Sequence, residues 1–366
     1  MFPAMSPAMS TVVLSERSEP GGAGVLQVLR AHRWFIAVVT LYAVAGLLAV
    51  RVYDLPDRMS LSLYSLVNLQ LMLGFAAAWA LCYPVYVMVV RRPARLTRYM
   101  IEDLRANYLT VERATGALIV AVFLPSFLSV FTGFKTMISV TNPYAWDATF
   151  EAWDRWLHLG WQPWEILHPL LAFPWVTSAV NIVYNCWLVV LYLVLFWQAF
   201  TTRDPRLRMQ FFLTFVLTWS LLGSVLATVL SSGGPVYYGR LTGLADPYAP
   251  LLDYLRAAGE VGVVWVLKIQ DALWQSHMMG QYDFGAGISA MPSIHVSAAV
   301  LFALVGWRVD RRLGLAFTVF AVVIMIGSVH LAWHYAIDGY VSALATFAIW
   351  RVCGWWVGRD PVYADD

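Results

Sequence analysis

Three residues in the last quarter of the chain have the types and spacing for chemistry on a phosphoryl group. His334 and Asp338 lie four residues apart. On a continuous helix they share a face. If the chain turns there, Asp338 falls at a helix N-terminus, where a carboxylate is favoured. Either way Asp338 can accept a hydrogen bond from one ring nitrogen of His334 and leave the other free as a nucleophile. This is the orienting logic of a Ser-His-Asp triad with the histidine itself attacking. His295, in the run Met291-Pro292-Ser293-Ile294-His295, can serve as general acid on the leaving oxygen. Pro292 is expected in a first helical turn, with Ser293 and the free N–H groups of that turn donating to phosphate oxygens. Lys135 is one of only two lysines, with Lys268, and its cation would complement a phosphate. His330, one turn before His334, reads as helix packing or support for the site.

The elements that must position these residues are membrane spans. The chain has 366 residues, 60% hydrophobic and 13% charged. A soluble domain carries about 25% charged residues. The apolar excess gathers in eight blocks: 34–50, 65–90, 116–134, 175–199, 210–231, 290–307, 314–333 and 337–357. Each approaches the length needed to cross roughly 30 Å of hydrocarbon. The expected fold is all-α, a polytopic helical bundle of about eight spans. Its expected divisions are a flexible tail over 1–29, a two-span extension with a basic loop over 30–115, and a six-span catalytic unit over 116–366. A net charge of +2 gives no reason to expect nucleic acid as a partner. Cys82, Cys186 and Cys353 lie within apolar blocks without paired or metal-ligand spacing, and read as buried thiols.

Arginine placement orients the bundle. Seventeen of the 24 Lys and Arg fall before the first block, after the second, fourth and sixth, and at the C-terminal end. The positive-inside rule makes that side cytoplasmic, with both termini on it. The histidines then face the other side, periplasmic if the membrane is a bacterial inner membrane, as the preference for arginine over lysine hints. Two long connections, 135–174 and 232–289, lie on the histidine side. Within the first, Trp146, Phe150, Trp153 and Leu157 alternate with Asp147, Glu151, Asp154 and His158 at helical spacing. That is an amphipathic helix over 144–158, expected to lie in the interface.

The pattern resembles the type 2 phosphatidic acid phosphatase superfamily, whose signatures are K-x6-R-P, P-S-G-H and S-R-x5-H-x3-D. Here stand Lys135-x6-Asn142-Pro143, Pro292-Ser293-Ile294-His295 and Gly327-Ser328-x5-His334-x3-Asp338. The resemblance implies that His334 forms a phosphohistidine, Asp338 orients it and His295 protonates the leaving group, with no metal or other cofactor. Asn142 and Ser328 replace the two signature arginines, which a dianionic monoester needs more than a monoanionic diester does. With His334-Tyr335-Ala336-Ile337-Asp338, this relaxed form is similar to the inositol phosphorylceramide and sphingomyelin synthases. Gly234-Pro235-Val236-Tyr237-Tyr238 looks like a proline-tyrosine segment of the fungal synthases. The resemblance makes Asn142, Ser293 and Ser328 candidate phosphate contacts. Arg240 is a candidate replacement cation, and Tyr238 and Tyr335 are candidates either to support the site or to contact substrate.

Four readings compete. The first is a phosphotransferase moving a headgroup from a phospholipid donor to a hydroxyl-bearing lipid. The second is a lipid phosphatase with water as acceptor. The third is a metal site built from His330, His334, Asp338 and His295. The fourth is a transporter, which predicts matched halves with broken helices. The missing arginines favour the first. The three-motif match outweighs the third, and charges gathered at one face without an internal repeat argue against the fourth.

Overall fold

The computed structural model describes residues 21–363, and among them every regular element is helical. The N-terminal part comprises α1 (Gly21–Ala31), α2 (Arg33–Val52), α3 (Ser65–Tyr86) and α4 (Leu96–Asp103). The centre comprises α5 (Val111–Thr141), α6 (Asp147–Leu157), α7 (Pro163–Leu171), α8 (Pro174–Asn185), α9 (Trp187–Phe200), α10 (Pro205–Ser220) and α11 (Ala227–Val229). Then come α12 (Tyr238–Thr242), α13 (Ala249–Val261), α14 (Val266–Met278), α15 (Ile294–Val309), α16 (Arg311–His330) and α17 (Ala336–Val357). Of the tail expected over 1–29, residues 1–20 lie outside the described residues, and α1 begins at Gly21.

Among the described residues, seven helices are long and apolar enough to cross a membrane, with α8 and α9 forming one near-continuous span. The chain is an integral membrane protein. The block expected over 290–307 is a shorter helix, α15, beginning at Ile294. Ser293 rather than Pro292 starts it: the Ser293 hydroxyl accepts from Val296 N at 3.4 Å, so Pro292 precedes the helix instead of lying in its first turn. Side-chain caps begin other helices too, with Asp204 accepting from Leu207 N at 2.8 Å and Asp310 from Arg312 N at 2.8 Å.

Helices α5 and α10 form the centre, and α10 packs against α2, α15 and α17. Phe127, Phe211, Phe212, Phe215 and Phe302 are fully buried there. The first span belongs to this core: Phe35 packs on Phe212 and Tyr42 on Phe127. Helix α3 behaves differently. Only Asn68 and Tyr83 are buried along it, so its apolar face meets lipid rather than protein.

A second cluster lies at the other end, where α6, α8, α13 and the ends of α15, α16 and α17 meet. It contains Phe150, Tyr184, Tyr248, Met291, Val296 and Tyr335. Helix α6 is amphipathic, as its spacing predicts, but its polar stripe faces inward. Asp147 and Asp154 are buried, whereas Trp156 is 78% exposed and Trp153 and Leu157 are also exposed. An acidic stripe cannot remain solvent-free without hydrogen-bond donors, and the neighbouring loops supply them.

Candidate active site

Helix α16 stops at His330. Ala332 then takes a left-handed conformation (φ 58°), and α17 begins after Tyr335. His330 and His334 therefore do not share a helix. His330 is buried with its Nε2 3.0 Å from Thr177 Oγ1. The Ser328 carbonyl closes the turn, accepting from Trp333 N at 2.9 Å and His334 N at 3.0 Å, while the Ser328 hydroxyl donates to Ile324 O at 2.8 Å.

The turn sets the His334 imidazole. Its Nδ1 lies 2.9 Å from Ala290 O and 3.3 Å from Asp338 Oδ2. Both neighbours are acceptors, so Nδ1 carries the proton and Nε2 keeps its lone pair. Burial, with the Lys135 charge adding to it, pushes the imidazole down to about 3 against the opposing Ala290 hydrogen bond. The ring is neutral near pH 7. Asp338 is buried in the first turn of α17, where Oδ2 also accepts from Tyr335 N at 3.1 Å. Its Oδ1 has no hydrogen-bond partner among the described residues.

His295 enters from α15. Its ring centroid is 5.7 Å from that of His334, at 62° between planes. Aromatic rings surround it: Trp187 at 4.4 Å, Tyr184 at 5.2 Å and Trp333 at 6.4 Å between centroids. Beside it, the Ile294 and His295 amides at the start of α15 donate to no group among the described residues. Free amides at the positive end of a 16-residue helix form a seat for an anion.

Helix α6 clamps the turn. Asp154 accepts from Ala336 N at 2.7 Å and Ile337 N at 2.9 Å, the first amides of α17. Asp147 accepts from Gly234 N at 2.8 Å, from Gly233 N at 3.0 Å and from the Tyr335 hydroxyl at 2.8 Å. Burial raises the Asp147 carboxyl and brings Asp154 up to about 7, against the hydrogen bonds from backbone amides. Gly234 (φ 100°) has no room for a side chain, because a Cβ would fall 2.7 Å from Trp333 O. Val236 N donates to Ala332 O at 3.1 Å, and Ala290 N to Ser232 O at 2.9 Å. The 232–236 segment thus ties α6 to both histidine-bearing loops.

The remaining sequence candidates are placed as follows. Ser293 is buried as the α15 cap. Asn142 donates to Thr228 O at 2.7 Å. Arg240 is paired with Asp271 at 3.0 Å and lies over the Trp274 ring. Tyr238 packs edge-on against Tyr248, and Tyr335 lies between Phe150 and Tyr248. Asp147, Asp154, the Ala290 carbonyl and the aromatic wall around His295 were not singled out from the sequence. The two aspartates carried a signal, their shared stripe on α6. A backbone carbonyl carries none.

The arrangement can orient a neutral imidazole, offer its free nitrogen, and place a second imidazole and an anion seat beside it. That equipment suits chemistry on a phosphoryl group. No curated protein and no solved structure gave a match. The family model described as PAP2 superfamily matches residues 148–352, from the start of α6 through most of α17, and the chain belongs to that superfamily.

Proposed function

We propose that the protein transfers a phospho-headgroup from a phospholipid to the hydroxyl of a second lipid, through a phosphohistidine on His334. The observation that carries this reading is the anchored Nδ1 of His334, which leaves Nε2 free, with the His295 ring 5.7 Å away between centroids. In the first step Nε2 forms a bond to phosphorus, the bond from phosphorus to the diacylglycerol oxygen breaks, and His295 gives that oxygen a proton. In the second step the acceptor hydroxyl gives its proton to His295 and attacks phosphorus. The N–P bond breaks and His334 is restored. Asp338 holds the tautomer, and the phosphate sits on the amides of Ile294 and His295 with Lys135 as its cation.

Transfer is favoured over hydrolysis by the modest positive charge around this seat. Asn142 and the Ser328 hydroxyl are bonded to backbone carbonyls, and Arg240 is engaged with Asp271. A monoanionic diester needs less compensation than a dianionic monoester. The histidine end faces the extracytoplasmic side in this reading, by the arginine asymmetry.

Purified protein, with EDTA present, would be given phosphatidylinositol, phosphatidic acid and ceramide, and the products analysed by mass spectrometry and a phosphate assay. A new phosphodiester lipid is expected. Free phosphate without such a lipid would replace transfer by hydrolysis, and no product from any donor would remove both.

A further inference from the structure

The end of the bundle opposite the histidines contains a cavity of about 420 Å³ among α10, α15 and α17. Arg206, Gln210, Arg308, Arg351 and Trp355 line it, and none of its lining residues is acidic. The three arginines come from three different helices. Arg206 donates to the Tyr363 carbonyl. Among the described residues, Arg308 and Arg351 have neither a hydrogen-bond nor an ion-pair partner.

Three guanidinium groups around one cavity gather positive charge with no acidic partner, and an anion between them would be attracted to all three. Their planar forks match phosphate oxygens two at a time. Gly354 adds to the site by having no side chain: a Cβ there would fall 2.5 Å from Gln210 Nε2. The rim has the character of a bilayer boundary. Trp355 is 57% exposed, and the Arg359 guanidinium lies 4.1 Å from its ring centroid. Exposed tryptophan and arginine at a helix end sit at headgroup depth. Arg351 lies 13 residues beyond Asp338 on α17, roughly 20 Å along the axis, in the half of the helix nearer the opposite leaflet.

We infer that this cavity binds the phosphate group of an anionic ligand, at a site separate from the histidines. Its position at headgroup depth suits a phospholipid held in the leaflet away from the catalytic chemistry. A free phosphate shares that chemistry.

The test uses the full chain in detergent with equal amounts of phosphatidylglycerol and phosphatidylcholine, with bound lipid read by native mass spectrometry. Wild type should retain phosphatidylglycerol with about tenfold preference, and Arg308→Gln/Arg351→Gln should lose it. Arg308→Gln alone, at an exposed position, is scored in parallel against disturbance of the fold and should lose part of the preference. Displacement of the lipid by excess inorganic phosphate from wild type, but not from the double variant, would assign the site to phosphate from either source. Equal retention by wild type and both variants would overturn the inference. Turnover plays no part in the readout, so the result stands apart from the chemistry at His334.

Discussion

Both ends of the last helix are held by buried carboxylates, and the two ends are built on opposite principles. Just past the C-terminus of α17, Asp360 accepts from Arg33 at 2.6 and 2.7 Å, from Trp34 Nε1 at 2.8 Å and from Val362 N at 3.0 Å. Burial would raise that carboxyl, but these donors outweigh it and hold it below the usual carboxylate range. At the N-terminus, Asp147, Asp154 and Asp338 are all buried, and their hydrogen-bond donors are amides, a phenol and the His334 ring. Among the described residues, no arginine or lysine is bonded to them.

Under the proposed function, the difference separates holding from reacting within one bundle. A cation settles a buried carboxylate and makes it a fastener. An arginine beside Asp338 would compete for the oxygen that faces His334, and the imidazole would keep only the Ala290 carbonyl as acceptor. The histidine end therefore uses backbone amides. They satisfy the carboxylates without taking Asp338 from the ring, while burial penalises the charges that remain.

Substitutions at the two ends should separate rate from stability. His334→Ala should abolish turnover while leaving a monodisperse, helical protein. Residual activity at the wild-type level would remove the covalent step from His334. Asp338→Asn should lower kcat by about 10²-fold or more. The Ala290 carbonyl still holds Nδ1, which is why a complete loss is not expected. Unchanged kinetics would take Asp338 out of the mechanism. Asp154→Asn leaves one of the two α17 amides without an acceptor, at a cost of about 1–3 kcal/mol. It should lower kcat as well as the melting temperature, because the same amides position the His334 turn. A fall in melting temperature with kcat unchanged would reduce Asp154 to a fastener like Asp360.

Arg33→Gln at the other end should show the reverse: a stability loss of at most about 1 kcal/mol, since the arginine is 38% exposed, and full activity. The smallest effect concerns pH. Folded Asp154 takes up a proton below about 7, whereas the unfolded chain does so only near the ordinary carboxylate value. Its raised value therefore favours the folded state at low pH and loses that advantage as pH rises through 7. The melting-temperature gap between wild type and Asp154→Asn should narrow from pH 5 to pH 9. A gap that stays constant would mean that Asp154 is already ionised at the acid end.

Much of this was legible in the sequence, because hydropathy and spacing report directly on burial and face. The apolar blocks mark the helices, and four-residue spacing gives Asp338 access to His334 whether or not the chain turns. Sequence distance does not report which way an amphipathic stripe points. On α6 the aromatic stripe and the acidic stripe are equally plain, and only the partners at Gly233, Gly234, Ala336 and Ile337 turn the acids inward. The Ala290 carbonyl was invisible for a related reason, since any residue type presents the same acceptor. The start of α15 was misplaced because Pro292 fits a first turn as well as it fits the residue before a serine cap.

The central claim is that phosphorus is attacked twice, first by His334 and then by the acceptor. The most direct test is the stereochemical course at phosphorus, using a donor phospholipid whose headgroup phosphate is a chiral phosphorothioate. Two in-line displacements through His334 predict a product with retained configuration. Inversion would mean that the acceptor attacks the donor directly, and would contradict the phosphohistidine account.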